Sequence, residues 1–222
     1  MVNFKLYERL LELPLFQGMS RNDLEEAVKS IKYRTLTYAK NKVVAAEGDR
    51  CDKLLFLMSG TISATGYADD KSYAITEEIS APDILQPERI FGLTQRYSRT
   101  FRTIGECSFI SIGKPEAMLL SDKYEIFRIN LLNIICTKSQ RITRYPWKAK
   151  PQSIRSKIIR FIEARCLRPA GKKTLSIKMD RLGDEINESR LNVSRELNAM
   201  KDEGLISLRR GEIHIEAFEK MR

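Results

Sequence analysis

The sequence predicts an α+β chain. A short helical lead is followed by an antiparallel β-roll, sandwich or barrel, then one long helix, then a C-terminal winged helix-turn-helix. Three observations predict this. Between Tyr33 and Ile112, short apolar or β-branched runs alternate with turn residues. From Tyr124 to Tyr145 there is no Gly or Pro. Past Ala149 come two helical patterns joined by a tight-turn Asn, then a hairpin with a basic tip.

The elements follow in order. Phe4 to Lys32 reads as helices: Leu13-Pro-Leu-Phe16 precedes Ser20, an N-cap candidate with Asp23 three residues on, and Leu24, Ala27, Val28 and Ile31 recur at helical spacing. The strand candidates are Val43–Ala45, Leu54–Leu57, Thr61–Ala64, Tyr73–Ile75 and Phe109–Ile112. Glu47-Gly48-Asp49, Ser59-Gly60, Ala68–Lys71 and Ala81-Pro82-Asp83 punctuate them. A helix over Tyr124–Tyr145 would span roughly 33 Å at 1.5 Å per residue. Its apolar residues Leu131, Ile135, Ile142 and Tyr145 form one stripe, interrupted by Lys138. That near-heptad spacing suits a second copy, while a helix lying on its own domain's core fits the same residues. Pro146 and Pro151 bracket a hinge, so the domains are expected at 1–148 and 149–222.

Composition narrows the function. Hydrophobic residues make up 42% and charged residues 31%, which suits a globular chain and not a disordered one. No stretch approaches the ~20 apolar residues of a membrane span, and Met1–Leu11 lacks a leader pattern, so a cytoplasmic protein without a membrane partner is expected. The net charge is +10, which favours polyanionic partners. The excess is concentrated in the last third, the hinge and helix-turn-helix region. Cys51, Cys107, Cys136 and Cys166 are widely spaced and His214 is the sole histidine, so no zinc or iron–sulfur pattern exists. Reduced, mostly buried thiols are expected. The chain has no G-x-S-x-G, P-loop or H-E-x-x-H motif, and no histidine in its first two-thirds to act as a base, so no enzyme is expected.

The segment Met179–Met200 carries the chemistry. Leu182 and Ile186 sit four apart on a first short helix, and Gly183 leaves room for a close crossing. Asn187 suits the left-handed residue of a tight turn, and Ser189 suits the next N-cap. Val193, Leu197 and Met200 form the buried stripe of the second helix. Arg190, Asn192, Ser194, Arg195 and Asn198 are left outward. Arg pairs bidentately with guanine and Asn with adenine, and the N-terminal end of such a helix is the part that enters the major groove. Leu205–Leu208, Arg209-Arg210-Gly211-Glu212 and Ile213–Ile215 read as a wing whose basic tip meets phosphate. Glu188 and Glu196 oppose a purely electrostatic grip. The rival reading is an ordinary helical hairpin with a β-hairpin core.

These residues resemble the CRP/FNR superfamily, the cyclic-AMP receptor protein and its relatives, over nearly the whole chain. Leu13–Ser20 with Asp23-Leu24 is similar to its opening helices. Glu47-Gly48-Asp49 and Leu54–Gly60 are similar to the glycine turns of its cyclic-nucleotide-binding-type β-roll. Ser189–Arg195 and Glu203–Ile206 are similar to its recognition helix and the start of its wing. The resemblance implies a bacterial, homodimeric transcription regulator. It would have a double-stranded β-helix sensor, a dimerisation helix and a DNA-binding domain on a roughly palindromic duplex site, with RNA polymerase as a partner if it activates. It implies base reading by Arg190 and Arg195 and phosphate contacts from Lys178, Ser189, Asn192 and Arg209, with Arg210 beside them. Leu191 stands where the cyclic-AMP receptor protein has a base-reading glutamate, so a different sequence preference is implied.

The sensor departs from the family pattern. Its nucleotide pocket uses a glutamate for the ribose and an arginine for the cyclic phosphate, and here those places hold Pro87 and Tyr97. A shifted register would bring in Glu88, Arg96 and Arg99. The candidate effector pocket is therefore Gln86, Pro87, Glu88, Arg89, Arg96, Tyr97, Ser98, Arg99 and Ile142, for an unidentified small molecule or for none, and cyclic AMP is not the expected effector. The N-terminal cysteine cluster of the oxygen-sensing branch is absent, and a histidine-ligated haem in the roll has no ligand. A ligand-sensing module that controls a partner protein, with the tail as interaction domain, is the alternative. Salt-dependent DNA binding separates the two.

Overall fold

The computed structural model describes residues 4–221. Met1 to Asn3, at the head of the segment read for a leader, and Arg222 lie outside them. The chain folds as two units. One runs to Ile62 and resumes over Ser80–Pro146; the other holds Ser63–Ile79 and the chain from Trp147 on.

The first unit opens with α1 (Phe4–Glu12) and α2 (Arg21–Ser30). Ser20 caps α2, accepting the Asp23 N–H at 3.1 Å, which satisfies one of the amides a helix start leaves open. The strands follow: β1 (Tyr33–Tyr38), β2 (Val43–Ala45), β3 (Lys53–Ser59), β4 (Thr61–Tyr67), β5 (Tyr73–Ser80), β6 (Asp83–Ile84), β7 (Thr100–Thr103) and β8 (Cys107–Gly113). One sheet has the order β1-β8-β3-β6, and β2 pairs antiparallel with β7. Strand β3 is buried on both faces because alternate side chains serve two cores. Leu54 and Phe56 join Ile110 and Ile112 of β8 against the helices; Leu55 and Leu57 point the other way. Gly60 turns β3 into β4 at φ +92°. A Cβ there would lie 2.5 Å from the Glu106 carbonyl oxygen, so the expected turn admits only glycine.

Two helices close this unit, α3 (Lys114–Lys123) and α4 (Glu125–Arg144). Phe127 is fully buried against Phe16, ring centroids 5.4 Å apart, with Leu131 beside it. The long helix expected over 124–145 is therefore present, but the stripe chosen for it does not share one environment: its first half faces inward, while Ile142 is exposed. Leu131 and Ile135 pack on the core of their own roll. Ile126, Ile129, Leu132, Cys136 and Ile142 are left outside. The reason is geometric: one step along a helix turns a side chain by about 100°, and the roll needs a cover over Phe16 and Phe56.

The second unit contains the β4–β5 hairpin from Ser63 to Ile79, then α5 (Ile154–Arg165), β9 (Lys173–Ile177), α6 (Met179–Ile186), α7 (Arg190–Asp202), β10 (Ser207–Arg209) and β11 (Glu212–Ile215). Its sheet runs β10-β11-β9-β5-β4. Ile158, Phe161 and Ile162 of α5, Leu182 and Ile186 of α6, and Val193, Leu197 and Met200 of α7 meet Leu175, Ile177, Ile213 and Ile215 of the sheet in one core. Ile75 of β5 belongs to that core. The hairpin reads from sequence as part of the roll, yet its strand β5 pairs with β9 from Tyr73↔Ile177 to Glu77↔Lys173. Among the described residues no helix is long and apolar enough to cross a membrane.

Candidate nucleic-acid interface

The interface is built around the turn between α6 and α7. Asn187 ends α6 in the left-handed region at φ 54°, ψ 57°, as its side chain type allows. The chain then doubles back so tightly that the Glu188 N–H donates to the Gly183 carbonyl at 2.9 Å. A Cβ on Gly183 would lie 2.7 Å from the Glu188 carbonyl oxygen. Ser189 caps α7, accepting the Asn192 N–H at 3.2 Å. The expected roles of Gly183, Asn187 and Ser189 are all met.

Val193, Leu197 and Met200 are wholly buried, which fixes the rotation of α7. Arg190, Leu191, Arg195 and Asn198 are exposed, and Asn192 and Ser194 are half-buried on the same helix. Leu191 is 59% exposed, a large apolar side chain at the start of a helix otherwise faced with polar groups. The Arg190 guanidinium sits 3.4 Å from Asp180 of α6, with both side chains largely in solvent, so solvent and salt screen the pair. The Asn198 amide donates to the Ser194 carbonyl at 2.9 Å and is engaged with its own helix.

The wing closes on Arg210-Gly211, between Arg209 and its cross-strand partner Glu212. Arg209 and Arg210 are exposed, as is Lys178 at the head of α6. His214 lies in β11, its Nδ1 3.1 Å from the Thr174 hydroxyl and its Nε2 3.0 Å from the Glu212 carboxylate; it is a strand residue, as the sequence suggested.

The acids that seemed to oppose DNA are held from behind. Lys157 of α5 bonds Glu188 at 2.6 Å, and Arg155 bonds Glu196 at 2.7 Å. Arg155 also forks onto both oxygens of Glu203, and this bonding holds the Glu203 carboxyl below the usual carboxylate range. The positions of Lys157 and Arg155 could have been found from sequence only as basic residues off the apolar stripe of α5. Their partners lie across the fold.

The candidate effector residues gather in part. Gln86, at φ 39°, ψ 55°, exchanges two bonds with Ser98: its amide donates to the Ser98 hydroxyl at 2.6 Å, and its carbonyl accepts the Ser98 N–H at 3.0 Å. Pro87, Glu88 and Arg89 form a 3-10 turn, and Glu88 is bonded by Lys138 of α4. Tyr97 is buried, its ring against Phe101 and its hydroxyl beside Cys51. Burial pushes both that phenol and the Cys51 thiol up, so neither ionises near neutrality. Arg96 is turned to the Gly48 carbonyl at 2.7 Å, and Arg99 is half-buried. Ile142 is 64% exposed near the end of α4. Three of the four cysteines are buried and Cys136 is exposed.

Comparison with known proteins matches residues 35–123 to the cyclic nucleotide-binding domain and residues 156–222 to the Crp-like helix-turn-helix domain. The chain belongs to the CRP/FNR superfamily. No curated protein matches the chain. Among solved structures, it is similar to the sensor domain of the transcriptional regulator DNR from Pseudomonas aeruginosa. That match has 16% identity and a TM-score of 0.54, and covers 68% of this chain and 97% of that one. It also matches the catabolite activator protein of Thermus thermophilus, with 16% identity and a TM-score of 0.48, covering 94% of this chain and 96% of that one. At these identities the likeness to DNR concerns fold alone. The architecture is that of a CRP-like DNA-binding transcription regulator, with a nucleotide-binding-type roll followed by a helix-turn-helix. The Crp-like helix-turn-helix match takes in α6, α7 and the wing.

Proposed function

We propose that the protein is a homodimeric, sequence-specific transcription regulator, with a sensor and its dimerisation helix up to about residue 148, the 63–79 hairpin apart, and a DNA-binding domain after it. One observation carries the reading. The three buried residues of α7 leave its N-terminal end outward, with Arg190, Leu191 and Arg195 in solvent and the wing's Arg209 and Arg210 exposed on the same unit. Arg190 and Arg195 read bases, and Leu191 meets an apolar group such as a thymine methyl. Lys178, Ser189, Asn192, Arg209 and Arg210 hold phosphate, with Ser194 and Asn198 at the margin.

Two copies pair through the outer face of α4. Ile129, Leu132 and Cys136 are spaced three and four apart, the seam of a two-helix coil. Paired copies set two α7 helices about 34 Å apart on a roughly palindromic site. The sensor responds to something other than cyclic AMP. What supports this is that the places the family resemblance gives to the ribose glutamate and the phosphate arginine hold Pro87 and a buried Tyr97, with the Gln86–Ser98 bonds beside them. The family's regulators act on DNA and not as catalysts, and the same holds in this reading; a cytoplasmic site of action and contact with RNA polymerase on activated promoters follow from it.

The test is to sequence the genomic fragments that the purified protein captures and to measure its affinity for the recovered site against salt. A shared, roughly palindromic sequence and a steep fall with salt are expected. Random fragments with no salt dependence would leave a module acting on a partner protein. Arg190→Ala on that site is expected to cost ~1–3 kcal/mol and to relax preference at one base pair. A uniform loss across all sequences would make Arg190 a phosphate contact instead.

A further inference from the structure

The β4–β5 hairpin gives the second unit more than an edge strand. Residues on one face of a strand alternate, so Tyr73, Ile75 and Glu77 share a face, opposite Ile177, Leu175 and Lys173 of β9. That face carries the helices. Ile75 enters the core they share. The Tyr73 ring lies 5.2 Å from the Phe161 ring, and its hydroxyl accepts from Arg165 at 2.8 Å; Arg165 in turn reaches Glu185 of α6 at 3.1 Å. At the hairpin's tip, Asp70 lies 3.2 Å from Arg181 of α6.

Glu77 and Lys173 form the centre of this seam. Their side chains are 1% and 0% exposed and lie 2.7 Å apart. Both make further bonds: Glu77 accepts the Leu167 N–H at 2.5 Å and the Arg168 N–H at 3.0 Å, and Lys173 donates to the Ala170 carbonyl at 2.8 Å. A charge pair withdrawn from water persists only with such additional bonding. Without β5, Lys173 would be buried with no counter-charge, and β9 would show an unpaired edge. Beyond β9 the sheet continues directly into β11 and β10, the wing.

We propose that residues 63–79 are a positioning element of the DNA-reading unit. Pairing along β5 and the buried Glu77 set β9, and through it the wing, at the angle from which Arg209 and Arg210 reach phosphate. Glu77 touches no DNA; it acts through β9. The proposal rests on the DNA-binding reading above. The chain runs from the roll into this hairpin at Ile62–Ser63 and back at Ile79–Ser80. A ligand of the roll therefore has a second route to the wing besides the hinge after Pro146, covalent as far as the hairpin and hydrogen-bonded from β5 through β9 to β11.

The experiment uses the full chain. In the unmodified protein, amide exchange at 73–77 is expected to be as slow as at 173–177. Fast exchange at 73–77 beside a protected β9 overturns the proposal, whether or not DNA binds. Glu77→Gln is expected to lower affinity for the captured site about ten-fold and to reduce the slope of log affinity against log salt by about one, one lost phosphate contact. Loss of folded protein alone would lower affinity and leave the slope unchanged. Joint replacement, Glu77→Leu with Lys173→Met, is expected to restore the slope, since an apolar pair can replace a buried ionic one. An unchanged slope in a folded Glu77→Gln protein overturns the proposal. If the unmodified protein shows no salt-dependent DNA binding, the DNA reading fails, and the exchange result alone decides the seating of the hairpin.

Discussion

Gly183→Val is expected to abolish specific DNA binding and to destabilise the second unit by about 3 kcal/mol, the upper range for overpacking a tight site. The sign needs an argument, because glycine inside a helix is ordinarily worse than alanine by roughly 0.5–1 kcal/mol. On an open helix face, adding a side chain would therefore stabilise. Here the first added carbon lies 2.7 Å from a backbone oxygen, that of Glu188, and a backbone atom has no rotamer by which to retreat. The Glu188 N–H bond to the Gly183 carbonyl, 2.9 Å long, draws the two segments together at the same point. Steric cost outweighs propensity. The turn must open, and with it the angle between α6 and α7. Gly183→Ala tests the balance: a smaller loss, about 1–2 kcal/mol, is expected. Denaturant melts and titration with the captured site measure both. A stabilised Gly183→Ala protein with unchanged DNA affinity would show that the turn yields easily.

Leu132→Glu is expected to convert the protein to a monomer. The side chain is 52% exposed in the single chain, so its replacement should leave the monomer's own fold nearly untouched. In a two-fold pair the same residue is lost twice. At roughly 2 kcal/mol for each leucine returned to water, the dimer weakens by about 4 kcal/mol, close to a thousand-fold. Two glutamates brought face to face add repulsion. Sedimentation reads the result directly. A short bis-maleimide provides a second reading, because Cys136 lies one turn beyond Leu132 and is the exposed cysteine of the four. Cross-linking in the unmodified chain and its loss in Leu132→Glu are expected. A variant that stays dimeric would move the interface off α4. On a palindromic site the monomer would hold only one half.

What could be read from the sequence was what local chemistry dictates. Asn187 and Ser189 have their turn and capping roles wherever they stand, and both were legible. Gly60 announced its turn for the same reason. The length of α4 followed from the absence of any breaker. Its orientation did not, because the helix carries two apolar stripes. Periodicity cannot tell Leu131 and Ile135, which cover the roll, from Ile129 and Leu132, which do not. The β5–β9 pairing was illegible for a related reason. Glu77 is in phase with Ile75 and Lys173 with Leu175, but a lone charge on an apolar face reads as the end of a strand, and only their meeting across the fold lets both be buried. In the sensor, Gln86 attracted notice through its neighbours. Its exchange of bonds with Ser98 depends on a left-handed backbone at a non-glycine residue, for which the sequence carries no sign.

The tethering of Glu188 and Glu196 by Lys157 and Arg155 divides the labour of recognition between helices. On the proposed reading α7 displays the reading groups, while α5, which holds the two acids, sets how much negative potential an approaching duplex encounters. Speed of capture and choice of sequence are thereby separable traits: the first can be adjusted by exchanges on α5 that leave every reading side chain in place.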